Sequence, residues 1–327
     1  MVWAQFVFCA LLVILVGSRL SFYGDVIAEK SGLGRVWIGS VLIGAATSLP
    51  EMATGLSAVI LIKDPNLAVG GIVGSCLFNL VILAVADVSY RKRPLLSMVT
   101  RGQMLSSALS VVMMGIAAFA IVLSKKVFIP GFLGMQIPSW LILAVYLVGY
   151  RMIMVHERGV FESQDIYRHV ERSRAYLTFA LLALFMVGLS IWLAYLGEEM
   201  ARVTGWNTCF VGVLFLAVVT SLPELVVSYT AVRMGALDLA VGNIFGSNAF
   251  NIAILAFYDL AFKGNFWGGL RILHLLALTM AMALTGVTFM AMAYPRERPR
   301  IGIGWESPLI LAGYLVTTWF LFSLRGG

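Results

Sequence analysis

Apolar residues run along this chain in long blocks separated by short polar stretches. The blocks are long enough to cross the roughly 30 Å hydrocarbon core of a bilayer as helices. Ten can be placed, at residues 3–18, 36–61, 67–89, 103–123, 128–150, 175–196, 206–232, 239–262, 269–293 and 308–324. Polar groups break this pattern twice, in the same way. Thr47, Ser48, Leu49, Pro50 and Glu51 interrupt the second block, and the same five residue types recur at Thr220, Ser221, Leu222, Pro223 and Glu224 inside the seventh. A carboxylate at membrane depth is expensive, so each copy marks a functional site. A second likeness follows the first. Residues 67–87 align with 239–259 and are identical at 13 of 21 positions, among them Ser75 with Ser247, Asn79 with Asn251 and Asp87 with Asp259.

Composition sharpens the class. Apolar residues make up 61% of the 327-residue chain and charged residues only 12%. That is about half the charge of a soluble domain. The net charge of +7 would suggest a nucleic-acid partner in a soluble protein; here it reads as charge on cytoplasmic loops. With the N-terminus outside, the inner connections carry 16 Lys and Arg and the outer segments 7, which places both termini outside the cell or inner membrane. The N-terminus has no basic stretch before its apolar run, so a first transmembrane helix is expected there rather than a cleaved signal peptide. Cys9, Cys76 and Cys209 lie in or beside apolar segments and read as free buried thiols.

Direction then orders the halves. The second block runs from inside to outside and the seventh from outside to inside, so the repeats are inverted. The expected fold is an all-α integral membrane protein of ten transmembrane helices, arranged as two inverted five-helix repeats. The first repeat is 1–150 with its motif at 39–79, and the second is 175–327 with its motif at 212–251. A solvated cytoplasmic linker, 151–174, joins them. Inverted repeats suit alternating access around a site near the bilayer midplane.

The residue types point to a hard cation. Ser48 and Ser221 are expected to cap new half-helices, with Glu51 and Glu224 completing capping boxes. Pro50 and Pro223 lack an N–H and are expected to break the helix and free carbonyls near residues 44–46 and 217–219. Thr47 with Glu51, Ser75 with Asn79, and Ser247 with Asn251 are each four apart and share a helix face. Together these groups offer hydroxyl, amide, carbonyl and carboxylate oxygens, which suit Ca²⁺ or Na⁺; zinc or copper would want His or Cys. Gly70, Gly71 and Gly74, with Gly242 and Gly246, are expected to let helices approach closely. Asp87 and Asp259 read either as ion-access groups or as charges at helix ends.

At these residues the chain resembles the sodium/calcium exchanger family, the Ca²⁺:cation antiporters. The likeness covers 39–59 with 70–79, and 212–232 with 242–251. It implies Thr47, Ser48, Glu51, Ser75 and Asn79 as ligands from one half, and Thr220, Ser221, Glu224, Ser247 and Asn251 from the other. It also implies that spans 1 and 6 move against the rest. Members often carry Asp where this chain has Asn79 or Asn251, and an amide cannot ionise. Cys76 stands where the second repeat has Asn248, and Gly71 where it has Asn243. The linker is too short for a folded regulatory domain.

The expected function is exchange of Ca²⁺ for Na⁺ by a secondary antiporter, with H⁺ as the alternative counter-ion. Membrane lipids and the transported cations are the expected partners, without cofactor, nucleic acid or obligate protein partner. A channel is disfavoured by the helix-broken inverted repeat. An intramembrane enzyme is a distant alternative, because Glu198, Glu199 and Arg202 have the wrong spacing for a membrane-protease signature and His274 has no helical His partner.

Overall fold

The computed structural model of the chain describes residues 2–90, 92–158, 167, 169–204, 216–295 and 303–323. With little water available to apolar segments, backbone groups must pair within their own helices, and helices dominate. In chain order they are α1 (Val2–Ser31), α2 (Arg35–Ile62), α3 (Pro65–Tyr90) and α4 (Gly102–Ser124). A hairpin of β1 (Gly131–Phe132) and β2 (Met135–Gln136) follows, paired antiparallel with Gly131 opposite Gln136. Then come α5 (Ile137–Arg158), α6 (Arg172–Thr204), α7 (Leu216–Thr220), α8 (Leu222–Arg233), α9 (Leu237–Ala261), the short α10 (Phe266–Gly269), α11 (Leu273–Ala293) and α12 (Glu306–Ser323). Eight helices among the described residues are long and apolar enough to cross a membrane. The expected spans 206–232 and 308–324 lie partly outside the described residues; their described parts are α7, α8 and α12.

Apolar side chains lie on both sides of the packing. Leu15, Phe119, Leu147, Leu184 and Leu315 face outward, and a large apolar core fills much of the interior, with Ser, Thr, Asn and Glu side chains buried within it. α9 is the central rod, buried along almost its whole length and packed against α2, α3, α4, α5 and α8. Its closest neighbour is α2. A Cβ on Gly44 would stand 2.9 Å from the backbone of Gly246, and one on Gly246 would run into the backbone of Ser40. Gly39 likewise faces the backbone of Leu239. The close crossing therefore uses Gly39 and Gly44 of α2 with Gly242 and Gly246 of α9. This corrects the expectation for the first half: Gly71 has nothing within 4 Å of a built Cβ, and Gly70 meets only His274 at 3.7 Å.

Polar struts tie the helix ends together across the two halves of the sequence. Asp87, at the end of α3, accepts from Leu95 N at 2.6 Å, Gly304 N at 2.8 Å and Ser307 Oγ at 2.6 Å, the last two at the start of α12. Asp259, at the end of α9, accepts from Gln136 N and Ser139 Oγ, both at 2.6 Å, at the start of α5. The other helix ends repeat the device. Asp238 accepts from Thr100 N at 2.8 Å ahead of α4, and Asn66 accepts from Arg271 N at 2.7 Å ahead of α11. Of the two readings of Asp87 and Asp259, helix-end fastening is the one the geometry supports, because both are buried and fully engaged with loop donors.

Helices α1 and α6 pack on each other, and also on α8 and α2 of this framework respectively. Cys9, Val13 and Val16 of α1 pack with Met186, Leu189, Leu193 and Leu196 of α6 and with Val219 in an apolar cluster separate from the main core. α1 also runs further than expected, to Ser31, because its polar end has partners. Asp25 pairs with Arg35 at 2.5 Å and accepts from Tyr167 Oη at 2.7 Å, while Glu29 accepts from Tyr167 N at 3.1 Å. The linker is thus docked at Tyr167 rather than wholly solvated, and Glu157, also assigned to it, is buried at the end of α5. Part of the linker, 159–166 and 168, lies outside the described residues, as does Cys209; Cys9 and Cys76 are free and buried. The expected span 128–150 begins as the hairpin instead, since Leu133 and Gly134 take positive φ (48° and 82°) in its turn.

Two substitutions test this account through thermal unfolding of purified protein. Gly246→Ala should destabilise by about 1–3 kcal/mol, the usual range for overpacking, whereas Gly71→Ala should be within about 0.5 kcal/mol of neutral. Asp87 accepts a backbone N–H at each oxygen, so Asp87→Asn turns an amide N–H₂ toward a donor and should cost about 1–3 kcal/mol, while leaving any ion-dependent shift in melting temperature unchanged.

Candidate functional site

The two Thr-Ser-Leu-Pro-Glu segments fold differently. α2 runs unbroken through Pro50, with wide π-helical turns at Ile38–Ile43 and Ala58–Ile62 on either side. A proline inside a helix removes one N–H and crowds the carbonyl four residues back. Wide turns absorb such a misfit. Further back on the same helix, the Gly44 carbonyl accepts from Thr47 and Ser247, both at 3.3 Å. Ser48 is therefore in mid-helix and caps nothing, which corrects the break and the capping box expected there. In the second copy the helix does stop. Ser221 (φ −88°, ψ 9°) separates α7 from α8, with Pro223 in the first turn of α8. Ser221 occupies the cap position, yet its hydroxyl makes no capping bond.

These elements bring the ten predicted residues together near the mid-lengths of α2, α3 and α9 and at the α7–α8 junction. None is more than 5% exposed, so water is largely excluded from all of them. Each glutamate is met by groups from the opposite half or from the neighbouring motif helix. Ser48 Oγ donates to Glu224 Oε1 at 3.2 Å. Ser75 Oγ donates to Glu51 Oε1 at 3.4 Å, and Thr220 approaches Glu51 in the same way. The two carboxyls are near enough for the Glu51 charge to act on Glu224. Thr47 Oγ1 also lies 3.2 Å from Ser247 Oγ and 3.3 Å from Asn243 Oδ1.

Buried polar atoms normally find a partner, and the exceptions gather here. Eight buried side-chain polar atoms among the described residues have none, and six belong to this set: Glu51 Oε2, Glu224 Oε2, Asn79 Oδ1, Ser221 Oγ and both polar atoms of Asn251. Five of the six are oxygens. Each such orphan costs about 1–3 kcal/mol, so the cluster is a poor way to fill a core and a reasonable way to hold an oxygen-seeking cation. No group of three His, Cys, Asp or Glu side chains that could hold a metal occurs among the described residues. Any metal bound here would therefore depend on hydroxyl and amide oxygens beside two carboxylates.

Sequence reasoning did not single out three supporting side chains. Asn243 Nδ2 donates to Ser228 Oγ at 2.9 Å and to the Glu224 carbonyl at 3.4 Å, fixing the backbone at Glu224. Tyr258 Oη donates to the Glu51 carbonyl at 2.7 Å, filling the space that Gly55 leaves open. Asn248 holds Asn79 and the Cys76 carbonyl, at 2.9 and 3.2 Å. The two asparagines carried a visible signal, as amides inside an otherwise apolar helix; Tyr258 carried none.

Comparison with known proteins bears on the family and the fold. The sequence profile of the family described as sodium/calcium exchanger protein matches residues 1–156 and 174–323. The inner membrane protein YrbG of Escherichia coli is 29% identical over 251 residues, which is 75% of each chain. The sodium/calcium exchanger MaX1 of Methanosarcina acetivorans is 28% identical over 150 residues, covering 44% of this chain and 40% of its own. Among solved structures, the sodium-calcium exchanger NCX_Mj superposes with a TM-score of 0.73 at 20% identity, over 97% of this chain and 98% of that one.

Proposed function

Because the chain belongs to the sodium/calcium exchanger family, we propose that it is a cation antiporter of the cell or inner membrane that exchanges Ca²⁺ for Na⁺. In this reading Glu51 and Glu224 bind either ion. Thr47, Ser48, Ser75, Asn79, Thr220, Ser221, Ser247 and Asn251 complete an all-oxygen shell with nearby carbonyls. The observation that carries the proposal is the concentration of unpartnered buried oxygens on both glutamates and their neighbours. A cation would supply what those atoms lack. Two carboxylates offset one divalent charge, and the remaining ligands are neutral, so the ion can also be released.

The proposed architecture is ten transmembrane helices in two inverted five-helix repeats, 1–150 and 175–327, joined by 151–174, with both termini outside. The paired struts at Asp87 and Asp259, each linking the end of one half's helix to the start of a helix in the other, support an internal symmetry of this kind. Alternating access would move α1 and α6, whose apolar cluster is separate from the main core, against the strutted helices. The ion gradient supplies the energy, and no cofactor enters the scheme.

Uptake of ⁴⁵Ca²⁺ into proteoliposomes tests the proposal. An outward Na⁺ gradient should drive uptake; uptake that follows a pH step and ignores Na⁺ would replace Na⁺ by H⁺ as the counter-ion. Glu51→Gln or Glu224→Gln should reduce uptake by about a hundredfold or more, since even supporting residues around a metal are worth 10–100-fold. Glu199→Gln on α6 should leave it intact.

A further inference from the structure

The two amides of the site are held in different ways. Asn79 donates from Nδ2 to Asn248 Oδ1 at 2.9 Å, and Asn248 donates from its own Nδ2 to the Cys76 main-chain carbonyl at 3.2 Å. That carbonyl can only accept, so it decides the orientation of everything before it. Asn248 must point its nitrogen at Cys76 and its oxygen at Asn79. Asn79 must answer with its nitrogen, which turns its oxygen away from Asn248. Reversing either amide would set donor against donor or acceptor against acceptor. The oxygen thus turned away, Asn79 Oδ1, is fully buried and has no protein partner.

The other half lacks this chain of bonds. The residue matching Asn248 is Cys76, whose sulfur lies beside Asn251 and 3.9 Å from the Asn248 main-chain carbonyl. A thiol is a weak donor and a weak acceptor. Both polar atoms of Asn251 are left without a hydrogen bond. One amide is therefore locked, whereas its counterpart has only a weakly bonding thiol beside it.

We infer that Asn248 is a positioning residue for the cation site: it holds the Asn79 carbonyl oxygen, rather than its amino group, toward the ion. Asn251 is oriented only by the ion itself. The inference rests on the reading of this cluster as a cation site. It makes Asn79 a preorganised ligand, whereas Asn251 must be ordered on binding, which lowers its net contribution.

A double-mutant cycle on the purified full chain, read by equilibrium ⁴⁵Ca²⁺ binding, tests it. Asn248→Cys places in α9 the side chain already accommodated at Cys76. It should weaken Ca²⁺ binding about tenfold, yet change it less than about twofold in an Asn79→Ala background, because the two positions act as one unit. The mirror substitution Cys76→Asn offers Asn251 an acceptor and the Asn248 carbonyl a donor, and should tighten binding several-fold. Equal losses with and without Asn79 would mean that Asn248 merely supports the fold, and would overturn the inference. So would a well-folded Cys76→Asn protein that binds no tighter. Failure of the unmodified protein to bind Ca²⁺ or Na⁺ would defeat the cation reading itself, whereas binding indifferent to Asn248 would defeat only this inference.

Discussion

Two carboxylates, from opposite halves of the chain, are enclosed in a dry interior with too few donors. Each has one oxygen held by a serine, Ser48 on Glu224 and Ser75 on Glu51, and one with no protein partner. Removing an ionised carboxylate from water without a compensating charge is prohibitively costly. Hydroxyls already surround the site, yet they leave these oxygens unmet. It is the condition under which a desolvated cation would be preferred to an empty cavity, and the rest of the fold can be understood as holding that condition in place.

Holding it requires rigidity where the proposed ligands sit. The Gly39, Gly44, Gly242 and Gly246 crossing brings α2 and α9 to backbone contact, so Thr47, Ser247 and the Gly44 carbonyl share one small volume. The struts at Asn66 and Asp87 then fasten the two ends of α3, and those at Asp238 and Asp259 the two ends of α9. Transport also needs something to move. α1 and α6 meet mainly through apolar side chains, and α1 is tied to the other helices by few polar bonds: Ser21 Oγ to the Val227 carbonyl, Ser18 Oγ beside Thr230 Oγ1, and the contacts of Asp25 and Glu29 at its end.

Much of this was legible because membrane depth makes polar residues conspicuous. Glu51 and Glu224 stood out against apolar blocks, and the spacing of Thr47 with Glu51 or Ser75 with Asn79 put each pair on one helix face. Backbone response was harder to read. The same Thr-Ser-Leu-Pro-Glu phrase leaves α2 continuous but divides α7 from α8, because wide turns on either side of Pro50 absorb it in α2. No local pattern reveals which outcome tertiary contacts will choose. Glycine packing failed for a similar reason: Gly70 and Gly71 satisfy the same small-residue pattern as Gly242 and Gly246, and only the crossing partner distinguishes them. The polar end of α1 was read as a loop, since its partners, Arg35 and Tyr167, are brought to it by the fold.

Anomalous diffraction from crystals of the protein equilibrated with Ca²⁺ would test the central claim most directly. The account predicts a peak between Glu51 and Glu224, within about 2.3–2.6 Å of an oxygen from each. A well-ordered crystal with both carboxyls in place and no peak between them, or with its peak at Asp87 or Asp259 instead, would contradict it.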